Sequence, residues 1–153
     1  LVMGTLHTNG AVEAVTRLLD LGVEPYLLAP SLLGIMSQRL VRRLCDQCKS
    51  TYEMSKSDIE KYFDYDGDAE IHVYRPAGCD VCSRIGYIGR LPIHELMLAD
   101  DDVRGLISQA APLKEIRTWA ESQGLTSLRY DGIKKVLRGL TTFDEVGRVT
   151  ILD

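Results

Sequence analysis

Two short cysteine motifs decide the fold: Cys45-Asp46-Gln47-Cys48 and Cys79-Asp80-Val81-Cys82. Together they contain all 4 cysteines of the 153-residue chain. A Cys-x-x-Cys turn points two sulfur atoms at one metal ion, and two such turns supply the four thiolates of a tetrahedral structural zinc site. Cys45, Cys48, Cys79 and Cys82 are therefore predicted to bind Zn²⁺, which requires two segments that are distant in sequence to meet.

The segment between the two motifs, residues 49–78, is longer than the roughly 15–20 residues of a zinc ribbon, so we expect a small insertion there. Three other interpretations of the cysteines stay open: four unrelated buried thiols, two redox motifs, or disulfides of a secreted protein. Identical spacing in both pairs speaks against the first. Neither pair opens a helix on a thioredoxin-like frame, and the first residues do not resemble a signal peptide. Structural zinc is the interpretation that the sequence favours.

Composition limits the classes of function. Hydrophobic residues make up 45% and charged residues 26% of the chain, which is typical of a globular protein with one real core. No apolar run approaches the roughly 20 residues of a membrane span, so direct membrane insertion is not expected. The net charge of −4 does not favour a nucleic-acid partner. The basic cluster of Arg39, Arg42 and Arg43 is expected to be a solvated face or a subunit contact.

The first third of the chain has an α/β pattern. Leu1 to Thr5 is predicted as a buried strand, and its apolar start is typical of a strand cut from a longer protein. Asn9 or Gly10 is expected to cap a helix that ends at Gly22, and a second helix is expected to include residues 32–36. A strand at residues 40–44 would lead to the first cysteine motif. This order is typical of the second half of an α/β domain.

The rest of the chain is predicted to contain two short strands followed by helices. Ser57-x-x-Glu60 is interpreted as a capping box that opens a helix at residues 58–63. Strands are expected at residues 72–75 and 93–97. Asp100 or Asp101, Pro112, Ser127 and the capping box Thr142-x-x-Glu145 are expected to begin four helices.

One segment has residues suited to phosphate chemistry. Thr5, His7 and Thr8 are expected at the carboxyl end of the first strand, the edge where open α/β sheets bind ligands. A histidine there can donate to a phosphate oxygen or position a water molecule. The chain contains no Gly-x-x-x-x-Gly-Lys-Ser/Thr phosphate-binding loop, no Gly-x-Ser-x-Gly, no His-Glu-x-x-His and no Gly-x-Gly-x-x-Gly. No self-contained active site is therefore visible.

Taken in order, these motifs resemble those of one family, the ATPases of type II secretion and type IV pilus assembly. The resemblance covers essentially the whole chain, aligned to the C-terminal part of those proteins. It is carried by the histidine box at residues 4–9, the helix at 14–25, the approach to the first cysteine pair at 38–45, the Cys79-x-x-Cys82-x-x-x-Gly86-Tyr87-x-Gly89-Arg90 stretch, Ile93-His94-Glu95-Leu96, and the tail at 124–139.

The resemblance implies an α/β fold: the C-terminal part of a RecA-like nucleotide-binding domain, with a tetracysteine zinc subdomain and a helical C-terminal extension. The implied divisions are residues 1–44 for the RecA-like part, 45–82 for the zinc subdomain, 83–99 for a strand that returns to the ATPase core, and 100–153 for the extension. It also implies that His7 is a catalytic residue near the nucleotide γ-phosphate, and that Thr5, Thr8 and Arg90 contribute to nucleotide binding.

The implied function is that of a fragment of a hexameric motor that hydrolyses ATP with Mg²⁺. The parent would power type IV pilus assembly or type II secretion from the cytoplasmic side of the bacterial inner membrane, with an inner-membrane platform protein as partner. Because the phosphate-binding loop is missing, the 153-residue chain alone is expected to be inactive. The alternative is a stand-alone, zinc-stabilised interaction module without nucleotide chemistry.

Overall fold

The computed structural model describes residues 1–67 and 70–150, and these residues form two compact units. The first unit combines residues 1–38 with 94–128, and the second combines 39–93 with the described residues from 129 onward. The four-part division implied by the resemblance stays a prediction. None of the described helices combines the length and apolar character that a membrane crossing requires.

In chain order, the described elements are α1 (Ala11–Asp20), α2 (Pro25–Ser31), β1 (Gly34–Leu44), β2 (Ser50–Met54), α3 (Lys56–Ile59), β3 (Ile71–Arg75), a one-turn 3-10 helix (Asp80–Cys82), β4 (Tyr87–Leu98), α4 (Asp101–Ser108), α5 (Leu113–Ser122), α6 (Leu128–Leu137) and α7 (Phe143–Val149). β1 pairs with β4 in one two-stranded sheet, and β2 pairs with β3 in another. The α/β class predicted from the sequence is confirmed.

The first unit has a core of small and branched apolar side chains. Val12 and Val15 on α1 are fully buried, as expected from their helical spacing. They belong to a cluster with residues of α2, α4, α5 and the end of β4, whose buried members are Ala11, Val12, Val15, Leu28, Ala29, Met97, Ala99, Val103, Ile107, Ile116 and Ala120. α1 begins after Gly10, and Gly22 adopts a left-handed φ of 87° just beyond its end, as predicted.

The second unit is built around the insertion between the cysteine motifs. β2 and β3 are antiparallel, with Tyr52 opposite Val73. The aromatic ring of Tyr62 stacks on Phe143 of α7 with ring centroids 4.1 Å apart. Side chains from this insertion form one core with α6 and α7, and its buried members are Met54, Ile59, Val73, Ile133, Val136, Phe143 and Val146. The insertion is thus part of a core shared with the last two helices.

Two predicted elements are wrong. Residues 1–5 form no strand, and Leu1 is 98% exposed. A strand needs a neighbour that pairs with its backbone, and no described residue provides one. The predicted second helix is also displaced: α2 ends at Ser31, and residues 34–36 open β1. Pairing with β4 prevails there over the apolar run that indicated a helix.

The helix starts are confirmed in part. Asp100 caps α4, with its carboxylate accepting from the N–H of Val103 at 2.9 Å, and the Thr142 hydroxyl accepts from Glu145 at the start of α7. The capping box at Ser57 is wrong: α3 starts after Ser55 and ends at Ile59. The Ser55 hydroxyl instead donates to the Asp58 carboxylate at 2.9 Å, so the turn begins two residues earlier than predicted.

Candidate metal centre and histidine segment

The four cysteine sulfur atoms lie within 4.8 Å of one another in the second unit. The Sγ atoms of Cys45 and Cys79 are 3.9 Å apart, those of Cys48 and Cys82 are 3.8 Å apart, and those of Cys79 and Cys82 are 3.7 Å apart. A tetrahedron with Zn–S bonds of about 2.3 Å has edges of about 3.8 Å. The sulfurs therefore have the spacing of metal ligands, and all four thiols are free rather than paired in disulfides.

The first motif is shaped by the end of β1. The N–H groups of Cys48 and Lys49 both donate to the carbonyl of Cys45, at 3.3 and 3.0 Å, and so close a tight turn. The Cys45 N–H donates to the carbonyl of Gly86 at 3.0 Å. This hydrogen bond joins the first motif to the chain that follows the second.

The second motif is a one-turn helix that requires unusual backbone. Ser83 and Arg84 have φ values of 52° and 64°, and Gly78 has 91°. A Cβ atom at Gly78 would lie 2.6 Å from the Arg84 carbonyl oxygen, so only glycine fits there. The local chain therefore brings Cys79 and Cys82 onto the same side of the turn.

Backbone N–H groups surround the sulfur atoms. Gly78 donates to the Cys48 sulfur, and Cys79 and Gly86 donate to the Cys82 sulfur, each at 3.2 Å. Although burial opposes its charged form, these donors lower the pKa of the metal-free Cys82 thiol to about 6. Burial raises the pKa of Cys48 to about 11, with neighbouring thiols adding to it. The N–H donors thus favour the thiolate form of Cys82, whereas burial outweighs the Gly78 donor at Cys48.

The segment that carries the first cysteine motif is anchored to the turn between α6 and α7. The Lys49 ammonium group donates to the Gly139 carbonyl at 3.1 Å, and the Leu44 N–H donates to the Leu140 carbonyl at 2.9 Å. Gly139 has a φ of 68°, and a Cβ there would lie 2.6 Å from the ring of Tyr74. The turn therefore fits closely against the insertion.

A buried carboxylate holds β1 to α7 through an ion pair that the sequence did not predict. Glu145 is 2% exposed and accepts hydrogen bonds from the Arg42 N–H at 2.8 Å, the Arg42 guanidinium at 2.7 Å and Arg148 at 2.9 Å. Burial alone would raise the pKa of Glu145, but these donors lower it to about 2. Of the basic cluster expected to be solvated or intersubunit, Arg42 has a buried internal partner, while Arg43 pairs with Asp46 at the surface.

The histidine segment lies in the first unit. Thr5 and His7 are exposed, and the Thr8 hydroxyl donates to the Gly10 carbonyl at 3.0 Å. Arg90 is exposed on β4 in the second unit. The nucleotide roles that the resemblance implies for these residues stay predictions.

A second carboxylate that the sequence analysis missed lies behind the histidine segment. Glu95 is 5% exposed and accepts from the N–H of Ala11 at 2.7 Å. Ile93, Glu95 and Met97 alternate along β4 and are all buried. A charged residue at a buried position of a strand was the signal available in the sequence.

Together, the fold and the site describe an α/β chain with a cluster of four cysteines that could hold a metal ion. A sequence model of the family "Type II/IV secretion system protein" matches residues 1–148. The chain belongs to this family.

Two relatives are similar over almost the entire chain. A type II secretion system ATPase E from Vibrio cholerae is 48% identical over 98% of this chain and 29% of its own length. A type IV pilus assembly ATPase, TfpB, from Acinetobacter baylyi is 43% identical over 99% of this chain and 26% of its own length. The chain thus spans less than a third of the length of these relatives, which are named as ATPases.

A solved structure shares the fold. The crystal structure of the pilus retraction motor PilT with bound ADP aligns with 98% of this chain and 32% of its own, with a TM-score of 0.52 and 21% identity. This likeness concerns the fold alone.

Proposed function

We propose that the chain is the C-terminal part of an ATP-driven motor of type II secretion or type IV pilus assembly. One observation carries the proposal: the chain matches the family over residues 1–148, and relatives 43–48% identical are named ATPases of these two systems. In such motors, catalysis is mostly positioning and charge stabilisation around the γ-phosphate. The parent would be a homohexamer on the cytoplasmic face of the inner membrane, where it contacts a membrane platform protein.

Within that motor, we assign the nucleotide-facing role to the histidine segment. His7 would lie near the γ-phosphate of ATP and its Mg²⁺, with Thr5 and Thr8 beside it and Arg90 as a further nucleotide contact. The exposure of His7 supports the assignment, because an imidazole that is not buried in the chain's own core is free to meet a ligand.

The tetracysteine centre has a different role. Cys45, Cys48, Cys79 and Cys82 would hold one Zn²⁺ with no open coordination position, and such closed sites stabilise a fold rather than catalyse. The sulfur spacing and the N–H donors to the sulfurs support this. Zinc would thereby fix the junction between β1, the insertion and the turn at Gly139 and Leu140.

The test compares ATP turnover of the full-length protein with that of the 153-residue chain, and measures zinc in both by elemental analysis. The proposal predicts turnover only for the full-length protein and one zinc per chain in each. Robust ATP turnover by the 153-residue chain would contradict the proposal that the rest of the protein supplies the phosphate-binding loop. A full-length protein that binds no nucleotide would instead favour a zinc-stabilised interaction module.

A further inference from the structure

A buried carboxylate from β4 holds the start of α1, the helix that directly follows the histidine segment. The hydrogen bond from the Ala11 N–H to Glu95 Oε1 is 2.7 Å long and joins residues 84 positions apart. Ala11 is the first residue of α1, and its N-cap, Gly10, offers no side-chain oxygen. Glu95 therefore takes the place of a capping side chain, with a negative charge at the positive end of the helix dipole.

The space around Gly10 shows how closely this contact is built. A Cβ at Gly10 would lie 3.0 Å from Glu95 Oε1 and would collide with the carboxylate of Glu13. Gly10 has extended backbone, with φ −148° and ψ 177°, which any residue can adopt. A larger residue at position 10 would therefore require the Glu13 carboxylate to shift and would crowd the hydrogen bond from Ala11 to Glu95.

A second contact secures the same turn of helix. The Glu13 carboxylate, in the first turn of α1, pairs with the guanidinium of Arg117 on α5. α1 is thus attached at its start to β4 by Glu95 and to α5 by Glu13. The three residues that connect His7 to Ala11 are therefore attached to a fixed helix start. Within this connection the Thr8 hydroxyl donates to the Gly10 carbonyl.

We propose that Glu95 is a positioning residue for His7: by holding the N-terminus of α1, its carboxylate sets where the histidine segment presents the imidazole. This inference rests on the proposed function of His7. In this proposal Glu95 acts through α1 rather than by contacting the nucleotide. A displacement of about 1 Å at a catalytic group can lower a rate by up to about 100-fold. Because the anchored residue, Ala11, is only four positions from His7, loss of the anchor is expected to lower the turnover rate.

The test uses Glu95→Ala, which removes the acceptor, and Glu95→Gln, which keeps an acceptor oxygen without the charge. Glu121→Gln, an exposed glutamate on α5 in the same unit, is the matched control. Hydrogen exchange in the full-length protein reports the anchor directly. Loss of a charge-assisted hydrogen bond should speed exchange at Ala11 about tenfold or more in Glu95→Ala, and much less in Glu95→Gln.

Steady-state kinetics of the full-length protein test the functional consequence. We expect Glu95→Ala to lower kcat for ATP about tenfold while KM changes less than about twofold, and Glu95→Gln to restore most of the rate. A kcat for Glu95→Ala equal to that of Glu121→Gln, with exchange at Ala11 accelerated, would overturn the inference. So would an equal loss in both Glu95 variants accompanied by faster exchange throughout α5, which indicates general destabilisation.

A His7→Ala variant separates this inference from the proposed function. Unchanged turnover in His7→Ala would refute the role proposed for His7 itself. Lost turnover in His7→Ala beside retained turnover in Glu95→Ala would refute only the positioning role of Glu95.

Discussion

Replacing Glu145 by glutamine should destabilise the second unit in a way that depends on pH. The carboxylate is 2% exposed and receives hydrogen bonds from Arg42 and Arg148. Glutamine has the same shape and keeps an oxygen that can accept from the Arg42 N–H. It removes the charge that both guanidinium groups face.

The pKa of Glu145 sets the size of the effect. A shift from 4.5 to about 2 corresponds to about 3 kcal/mol of stability in the charged state, at about 1.4 kcal/mol per unit. Arg42 and Arg148 are 50% and 56% exposed, so water screens part of this attraction. We therefore expect the free energy of unfolding to fall by about 2 kcal/mol at pH 7.

The sign with pH follows from the lowered pKa. The carboxylate contributes its full stability above its unfolded pKa of 4.5, and this contribution is lost as the pH falls towards about 2. The difference between wild type and Glu145→Gln should accordingly be constant from pH 7 to pH 5 and shrink below 4.5. Acid also releases metal from thiolates, but this affects both proteins alike.

Urea unfolding followed by far-UV circular dichroism, with hydrogen exchange of α7, measures the effect. Glu60→Gln is the matched control, because Glu60 is an exposed glutamate in the same unit. A Glu145→Gln variant within about 0.5 kcal/mol of Glu60→Gln at pH 7 would refute the reasoning. A difference that persists unchanged at pH 3 would show that packing, not charge, is responsible.

Three further changes test other parts of the structure. Cys79→Ser should lose the proposed zinc, measured by elemental analysis, and should speed hydrogen exchange across the second unit. Val81→Ser, at an exposed position between the ligands, is the control and should keep one zinc per chain. Zinc retained in Cys79→Ser would contradict the proposed zinc site. Gly139→Ala should lower the free energy of unfolding in urea by about 1–3 kcal/mol, because φ is 68° there and an added Cβ would meet the Tyr74 ring. Gly147→Ala, in open space on α7, is the control and should be neutral or slightly stabilising. Equal effects of the two substitutions would refute the close fit at Gly139. His7→Ala in the full-length protein should lower kcat for ATP at least about tenfold, and a rate equal to wild type would remove His7 from the catalytic site.

Features of the fold that depend on neighbouring residues were predictable from the sequence. The starts of α4 and α7 follow from Asp100 and Thr142, because a capping oxygen reaches an N–H only three residues away. The end of α1 follows from Gly22, since a left-handed φ favours glycine.

Features that depend on distant partners were not predictable in this way. Residues 32–36 form an apolar run that suits a helix, yet β1 begins at Gly34, where an added Cβ would lie 3.1 Å from the Met97 carbonyl. The choice of strand over helix was made by a partner more than 60 residues away. Likewise, residues 1–5 are apolar enough for a strand, but a strand forms only where its backbone is paired.

In the candidate sites, too, features set by residues close in sequence were predictable and features set by distant partners were not. The candidate metal ligands were predictable from the sequence, because four cysteines in two equally spaced pairs can supply one tetrahedral set, and the structure brings their sulfur atoms within 4.8 Å of one another. The capping of α1 by Glu95 and the ion pair of Glu145 with Arg42 could be seen only in the folded chain, since each contact joins residues more than 80 positions apart. A buried charge is tolerated only beside its partners, and spacing along the chain does not reveal which distant donors will arrive there.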